Sequence, residues 1–255
     1  MRKEGLSEAA IAAFRHSYAE LVSGSSGMIK ESDIAAVQSL PDLDADIRGK
    51  TSFSPSLLQQ TVVLKLNGGL GTSMGLDKAK SLLEVKSGNT FLDFTAKQVE
   101  SMRKNFHANV TFMLMNSFNT SKDTLSFLQK YPTFINDPKI ELVQNKVPKV
   151  EKGSLKPAEW GINRNLEWCP PGHGDLYTAL YGSGKLDSLL ADGIRYMFVS
   201  NSDNLGATLD IGTIHDIFHS AERTTSDVSR ILMCRSFGVF CGAEQAVPYG
   251  VLQKN

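Results

Sequence analysis

The stretch Leu66-Asn67-Gly68-Gly69-Leu70-Gly71-Thr72-Ser73-Met74-Gly75 constrains this chain more than any other. The run Thr61-Val62-Val63-Leu64-Lys65-Leu66 leads into it. A β-branched, Leu-rich run that stops at a glycine cluster reads as a buried strand feeding a loop. Glycines at 68, 69, 71 and 75 let the backbone take positive φ and approach something bulky. Successive amide N–H groups in such a loop cradle anions, usually phosphates. Lys78 and Lys80 follow at once and add mobile positive charge, and Ser81 closes the stretch. The expectation is a nucleotide-phosphate site.

Three rival readings stand beside it. No Gly-Lys-Ser/Thr closes the loop, so it is not a Walker A motif. The spacing Gly69-x-Gly71-x-x-x-Gly75 is one residue longer than a dinucleotide fingerprint. Asp93 could serve as that fingerprint's acidic residue about 20 positions on, and a nicotinamide-binding dehydrogenase stays open on that ground. The plainest alternative is a glycine-rich βα turn with no chemical role.

The rest of the chain alternates. Residues 7–22 read as an amphipathic helix capped by Ser7, with Ile11, Phe14, Tyr18 and Leu21 on one face. A second short helix is expected over 33–40, and residues 42–60 read as polar and turn-rich. Residues 81–85 could pair as a strand. Thr90 caps a predicted helix through Phe106, with Leu92, Ala96, Val99 and Met102 on its apolar face. Strands follow at 110–115, 140–144 and 196–199, with helices over 117–130 and from Gly172 to Tyr181. Residues 145–171 read as a long ordered loop, which is more often functional than accidental. Strands alternating with helices imply an α/β fold with a mostly parallel sheet, and such sheets bind ligands beyond the carboxyl ends of their strands. The glycine loop, Met115-Asn116, Gln144-Asn145 and Asn201-Ser202-Asp203 all fall there, and Gly172-His173 could reach the same rim.

Composition narrows the class. In 255 residues, 27 Lys and Arg balance 27 Asp and Glu, which argues against a nucleic-acid coat protein or a polybasic membrane binder. Three sparse cysteines, Cys169, Cys234 and Cys241, do not make a disulfide framework and suit reduced thiols in the cytoplasm. No apolar segment follows the basic N-terminus, so no signal peptide is expected, and no run is long enough for a membrane span.

Several residues could carry chemistry. Asp203 directly follows a buried strand and, opposite a phosphate cradle, suits a Mg²⁺ held by one carboxylate plus phosphate oxygens. Asn-Ser-Asp-Asn is also good turn sequence, so a turn-forming Asp203 remains open. His173 lies between two glycines and could reach a ligand or be a surface-loop histidine. Lys80 could bind phosphate or be solvated. Gln144 can donate and accept at once and could read a base edge. No Ser/His/Asp arrangement is present, and nothing asks for a covalent intermediate.

Four ordered blocks then resemble one family. They are Leu66 to Gly75 with Lys80, Val143-Gln144-Asn145-Lys146-Val147-Pro148-Lys149, Trp168-Cys169-Pro170-Pro171-Gly172-His173-Gly174-Asp175, and Ser200-Asn201-Ser202-Asp203-Asn204-Leu205-Gly206. Together they resemble the signature of eukaryotic-type UTP–glucose-1-phosphate uridylyltransferases (UDP-glucose pyrophosphorylases), most closely those of kinetoplastid protozoa. The resemblance covers roughly residues 8–210. It implies a Rossmann-like sheet of the nucleotide-diphospho-sugar transferase type, spanning 51–210 behind a helical leader (1–50) and followed by a divergent tail (211–255). It implies UTP and glucose 1-phosphate as substrates, UDP-glucose and pyrophosphate as products, and Mg²⁺ as cofactor. Leu66, Asn67, Gly68 and Gly69 would hold the nucleotide, and Gly71 and Thr72 would complete the loop around its phosphates. Lys80 would be the catalytic, charge-neutralising lysine. Gln144 and the backbone at Gly172 would read uracil, with Met115 packing nearby. Gly68, Gly69, His173, Asn201, Ser202 and Asp203 would meet the sugar phosphate, and Asp203 would hold the metal. Many members carry proline before this lysine, where the chain has Ala79. The family's further sugar-binding block, second phosphate lysine and C-terminal β-helix are absent from these residues. Another UDP-sugar pyrophosphorylase, or a non-catalytic UTP-binding fragment, are the alternatives the resemblance leaves.

Overall fold

In the order of the chain, a capped helix precedes the first strand, and thereafter strands and helices alternate. The computed structural model describes residues 1–25, 27–36, 45, 55–71, 75, 78–209, 230–235 and 238–241. Helix α1 (Glu8–Val22) starts at Ser7, whose hydroxyl accepts from the Ala10 N–H, as the sequence predicts. A short helix α2 (Pro55–Gln59) lies where the sequence suggests only turns. It leads into strand β1 (Thr61–Asn67), every residue of which is buried. The helix expected over 33–40 is not formed where it can be described. Glu31–Asp33 make a 3-10 turn, Ile34 is extended, and residues 37–40 lie outside the described residues.

Beyond the glycine loop, β2 (Glu84–Lys86) and β3 (Asn89–Thr90) form a small antiparallel pair. The strand expected over 81–85 is thus shorter, because residues Lys80–Leu82 turn as a 3-10 helix. Helix α3 (Phe91–Phe106) opens on a capping box: Thr90 accepts from the Asp93 N–H and Asp93 accepts from the Thr90 N–H. Strand β4 (Thr111–Asn116), helices α4 (Ser121–Leu128) and α5 (Pro132–Ile135), and strand β5 (Glu141–Val143) follow. Helix α4 begins four residues later than the pattern suggests, since residues 117–120 form a separate turn. The long loop is ordered by the antiparallel pair β6 (Val147–Pro148) and β7 (Trp168–Cys169) and by bonds such as Lys149 N–H to Glu167 C=O (2.7 Å). A 3-10 turn at His173–Asp175 runs into α6 (Leu176–Gly182), then α7 (Lys185–Ala191) and β8 (Tyr196–Asn201). Strands β9 (Arg230–Arg235) and β10 (Gly238–Cys241) complete the described chain.

The central sheet has the order β10-β9-β8-β1-β4-β5, parallel throughout except for β10. The chain moves from β1 outward to β4 and β5, then returns across α6 and α7 to place β8 on the other side of β1. The switch point therefore lies between β1 and β8, the usual place for a ligand crevice in such folds. Both sheet faces are covered, which explains the continuous apolar strands. On one face Val63, Phe112, Leu114 and Phe198 pack with Leu92, Ala96 and Val99 of α3 and with Leu128 and Phe134. On the other, Leu64, Leu66, Met113, Met115, Leu142 and Val199 pack with Leu176, Ala179 and Leu180 of α6. The α/β expectation and the mostly parallel sheet hold. Helix α1 packs on α6, where Gly182 comes so close to Ser7 that a Cβ would lie 2.3 Å from its Oγ. Among the described residues no helix is long and apolar enough to cross a membrane.

Candidate functional site

Register brings four strand ends to one level. Asn67 pairs with Asn116, Asn116 with Val143, and Leu66 with Asn201. The first residues past β1, β4, β5 and β8 are therefore Gly68, Ser117, Gln144 and Ser202, neighbours on a single rim. Ser202 N–H donates to the Leu66 C=O (3.1 Å), and Gln144 N–H donates to the Asn116 C=O (2.8 Å).

The centre of the rim is a contact between Gly68 and Gln144. A Cβ on Gly68 would lie 1.8 Å from Gln144 Nε2, so any larger residue would displace the amide. Gln144 is buried, and among the described residues its Oε1 has no hydrogen-bond partner. Leaving a buried acceptor unpaired costs about 1–3 kcal/mol. An amide held against glycine with its acceptor buried and unpaired would be satisfied by a ligand donor such as a base N–H reaching the rim.

The glycine loop folds back on itself. Gly71 N–H donates to Lys78 C=O and Lys80 N–H donates to Gly69 C=O, both 3.1 Å, so Lys80 is fixed beside the glycines. Thr72 lies outside the described residues. Leu66 and Asn67 point their side chains inward: Leu66 joins the core, and Asn67 Nδ2 donates to Asn116 Oδ1 (2.7 Å) and Thr124 Oγ1 (3.0 Å). Only their backbone faces the rim. Met115 is likewise fully buried, part of the apolar floor beneath the rim and not an open surface.

A second wall comes from the turn before α6. Gly172 has φ 109 and ψ −178, a region that favours glycine, and it swings the exposed His173 out at the head of the turn. Asp175 anchors this turn to the residue after Gln144. Its carboxylate accepts from Asn145 N–H (2.6 Å), from Asn145 Nδ2 (2.8 Å) and from the Thr178 hydroxyl. Burial pushes the Asp175 pKa up, against the opposing bonds from Thr178 and Asn145. Asp175 stands at the N-terminal end of α6, makes no capping bond there and braces Asn145.

Past β8 the chain makes the turn that its sequence allows, with Asn204 N–H donating to Asn201 C=O (3.3 Å). Asp203 is exposed at its tip, next to the buried Ser202. Lys65 Nζ donates to Ala207 C=O (2.9 Å), tying this segment back to β1. Among the described residues no cluster of three or more His, Cys, Asp or Glu could hold a metal by itself. Asp93 is taken up elsewhere, by Thr90, Tyr131 and Lys130, so it is no ribose ligand and the dinucleotide reading loses its support.

Sequence reasoning missed Ser117, Thr120 and the bracing of Asn145 by Asp175. A cluster of short polar residues where a helix should begin was the available signal for the first two.

Comparisons with known proteins agree with this geometry. The family described as UTP--glucose-1-phosphate uridylyltransferase matches residues 11–230, beyond the last block that carries the sequence resemblance. The enzyme of that name from Saccharomyces cerevisiae is 46% identical over 167 residues, 65% of this chain and 33% of the relative. That from Hordeum vulgare is 43% identical over 178 residues, 68% of this chain and 37% of the relative. A mutant UDP-glucose pyrophosphorylase from Leishmania major, solved in complex with UDP-glucose, superposes with a TM-score of 0.81 at 51% identity. The alignment covers 86% of this chain and 46% of that one. A Trypanosoma brucei UDP-glucose phosphorylase gives the same score and identity, covering 87% and 47%. The chain thus spans about a third of the length of the curated relatives that it matches. By sequence and by fold, the chain belongs to the UTP--glucose-1-phosphate uridylyltransferase family.

Proposed function

We propose that this chain is the UTP-binding part of a uridylyltransferase that makes UDP-glucose and pyrophosphate from UTP and glucose 1-phosphate. The observation that carries the reading is the Gln144 amide pressed onto Gly68 at the rim with its buried Oε1 left unpaired among the described residues. That acceptor suits the N3–H of uracil, and the Gly172 backbone offers a second contact to the base. The glycine loop and Lys80 face the phosphates, with Gly71 and Thr72 completing the loop. His173, Asn201 and Ser202 face the sugar phosphate.

In the reaction a phosphate oxygen of glucose 1-phosphate attacks the α-phosphorus of UTP. The bond to the bridging oxygen of the β-phosphate breaks in line, and pyrophosphate leaves. The work is positioning and charge neutralisation. Lys80 neutralises the phosphate chain, and the loop N–H groups fix it in place. A single exposed carboxylate fits a Mg²⁺ that arrives with the nucleotide, since Mg²⁺ is often bound through one or two carboxylates plus phosphates and water. Asp203 would hold that ion, which when bound would neutralise further phosphate charge. The nucleotide unit begins at residue 51, behind the leader at 1–50, and runs past the 210 boundary that the resemblance implies, since β9 and β10 pair in the same sheet; it works in the cytoplasm, as the sparse cysteines suggest.

The second reading is a chain that binds UTP without turnover, since the contact between Gln144 and Gly68 by itself asks only for binding. Titration with UTP and assay of pyrophosphate release separate the two. Binding with release from UTP and glucose 1-phosphate supports the enzyme. Binding without release supports the second reading. No binding of UTP sinks both. Lys80→Ala should weaken UTP far more than uridine, because only the phosphates lose a partner.

A further inference from the structure

The peptide planes of the glycine loop are set from behind, by a buried turn. Ser117 Oγ donates to the Gly68 C=O and Thr120 Oγ1 donates to the Asn67 C=O, each at 2.9 Å. The two hydroxyls are 3.3 Å apart in one turn, and Ser117 N–H donates to Thr120 Oγ1 (2.9 Å). Both residues are fully buried.

Two successive carbonyls are therefore drawn toward the same point. In an extended strand they would point to opposite sides. A trans peptide holds its N–H opposite its C=O, so the N–H groups of Gly68 and Gly69 both turn away from that point, toward the rim. Neither makes a hydrogen bond among the described residues. Successive N–H groups turned to one side form an acceptor-binding concavity.

The turn gives up an ordinary role to do this. Thr120 is the N-cap of α4, where a threonine normally accepts from the helix's own first N–H groups. It makes no such bond, although Ser7 and Thr90 do so at the heads of α1 and α3.

We propose that Ser117 and Thr120 are positioning residues that aim the Gly68 and Gly69 N–H groups at acceptor atoms of the bound uridine nucleotide. This rests on the UTP-binding reading above. The test is titration of the chain with UTP and with UDP-glucose, in Mg²⁺, alongside thermal melting. Wild type should bind. Thr120→Val keeps the shape and removes the hydroxyl, and should weaken both ligands about tenfold. Thr120→Ser restores the hydroxyl and should restore the affinity. Should Thr120→Val fail to melt cooperatively, Ser117→Ala against Ser117→Thr decides in the same way. A hydroxyl that merely stabilises the turn would lower the melting temperature of Thr120→Val and leave affinity at the wild-type level; that result overturns the proposal. Wild type that binds neither ligand overturns the UTP reading itself, and the positioning role falls with it.

Discussion

Gln144 Nε2 lies where the Cβ of any residue larger than glycine at position 68 would have to be, 1.8 Å from that point. The strand end and the amide are thus fitted to each other, and neither can change alone. Gly68→Ala should push the amide off the rim. Overpacking of this kind costs about 1–3 kcal/mol of stability. UTP affinity should fall at least as much as stability does. A crystal structure of the variant would show Gln144 displaced, and an unmoved amide with unchanged UTP binding would refute the argument.

The buried, unpaired Oε1 of Gln144 leads to a prediction of opposite sign for stability and for binding. Gln144→Met keeps the length and removes a buried acceptor that has no partner. The melting temperature should hold or rise, because the desolvation cost of about 1–3 kcal/mol disappears. Uridine affinity should fall, since the base loses its acceptor. A variant that is less stable and binds uridine as well as wild type would mean that the amide is an ordinary part of the core.

These two residues also show what could be read from sequence. Gly68 was legible as a strand-end group because the long apolar run of β1 announces a buried strand, and Gln144 because it ends the short strand pattern that begins at Ile140. Thr90 as a cap was legible because capping is local chemistry. The turn at 117–120 was not, since its hydroxyls serve the backbone of β1, some fifty positions earlier in the chain. Helix propensity therefore ran α4 back to Ser117, and tertiary contacts overrode it. The brace that Asp175 makes was hidden for the same reason: its partner Asn145 is remote in sequence. Leu66, Asn67 and Met115 lie at or near the ends of β1 and β4, but only packing could say that their side chains turn inward.

Asp93 links stability to pH. Burial would raise its pKa, but Lys130, the Thr90 N–H, the Tyr131 hydroxyl and the Thr90 hydroxyl together hold it down at about 2, against an ordinary value of 3.8. Its side chain is only 4% exposed, so solvent screens these bonds little. A folded pKa below the unfolded one stabilises at pH above the unfolded value, and that contribution is lost as pH falls through the folded value. The loss should therefore run from about pH 4 to about pH 2 and amount to on the order of 2 kcal/mol. Asp93→Asn should be less stable at pH 7 and show a flatter stability curve across that window. Denaturant titrations at stepped pH measure both, and parallel curves for the two proteins would remove Asp93 as the cause.

Ala79 sits where many family members have proline, and its backbone is already suited to one. Its φ is −57 and its ψ 133, within the range that a proline ring imposes. The loop bonds beside it use the Gly71 and Lys80 N–H groups, and the Ala79 N–H donates to nothing among the described residues. Ala79→Pro would thus remove freedom from the unfolded chain without breaking a folded contact. A compatible substitution of this type adds about 0.4–1 kcal/mol. The variant should melt at a higher temperature and bind UTP at least as tightly, since Lys80 is the next residue and its position depends on this loop. Because Ala79 is buried, the added ring must fit against its neighbours; a lower melting temperature would show that local packing, and not backbone entropy, favours alanine here.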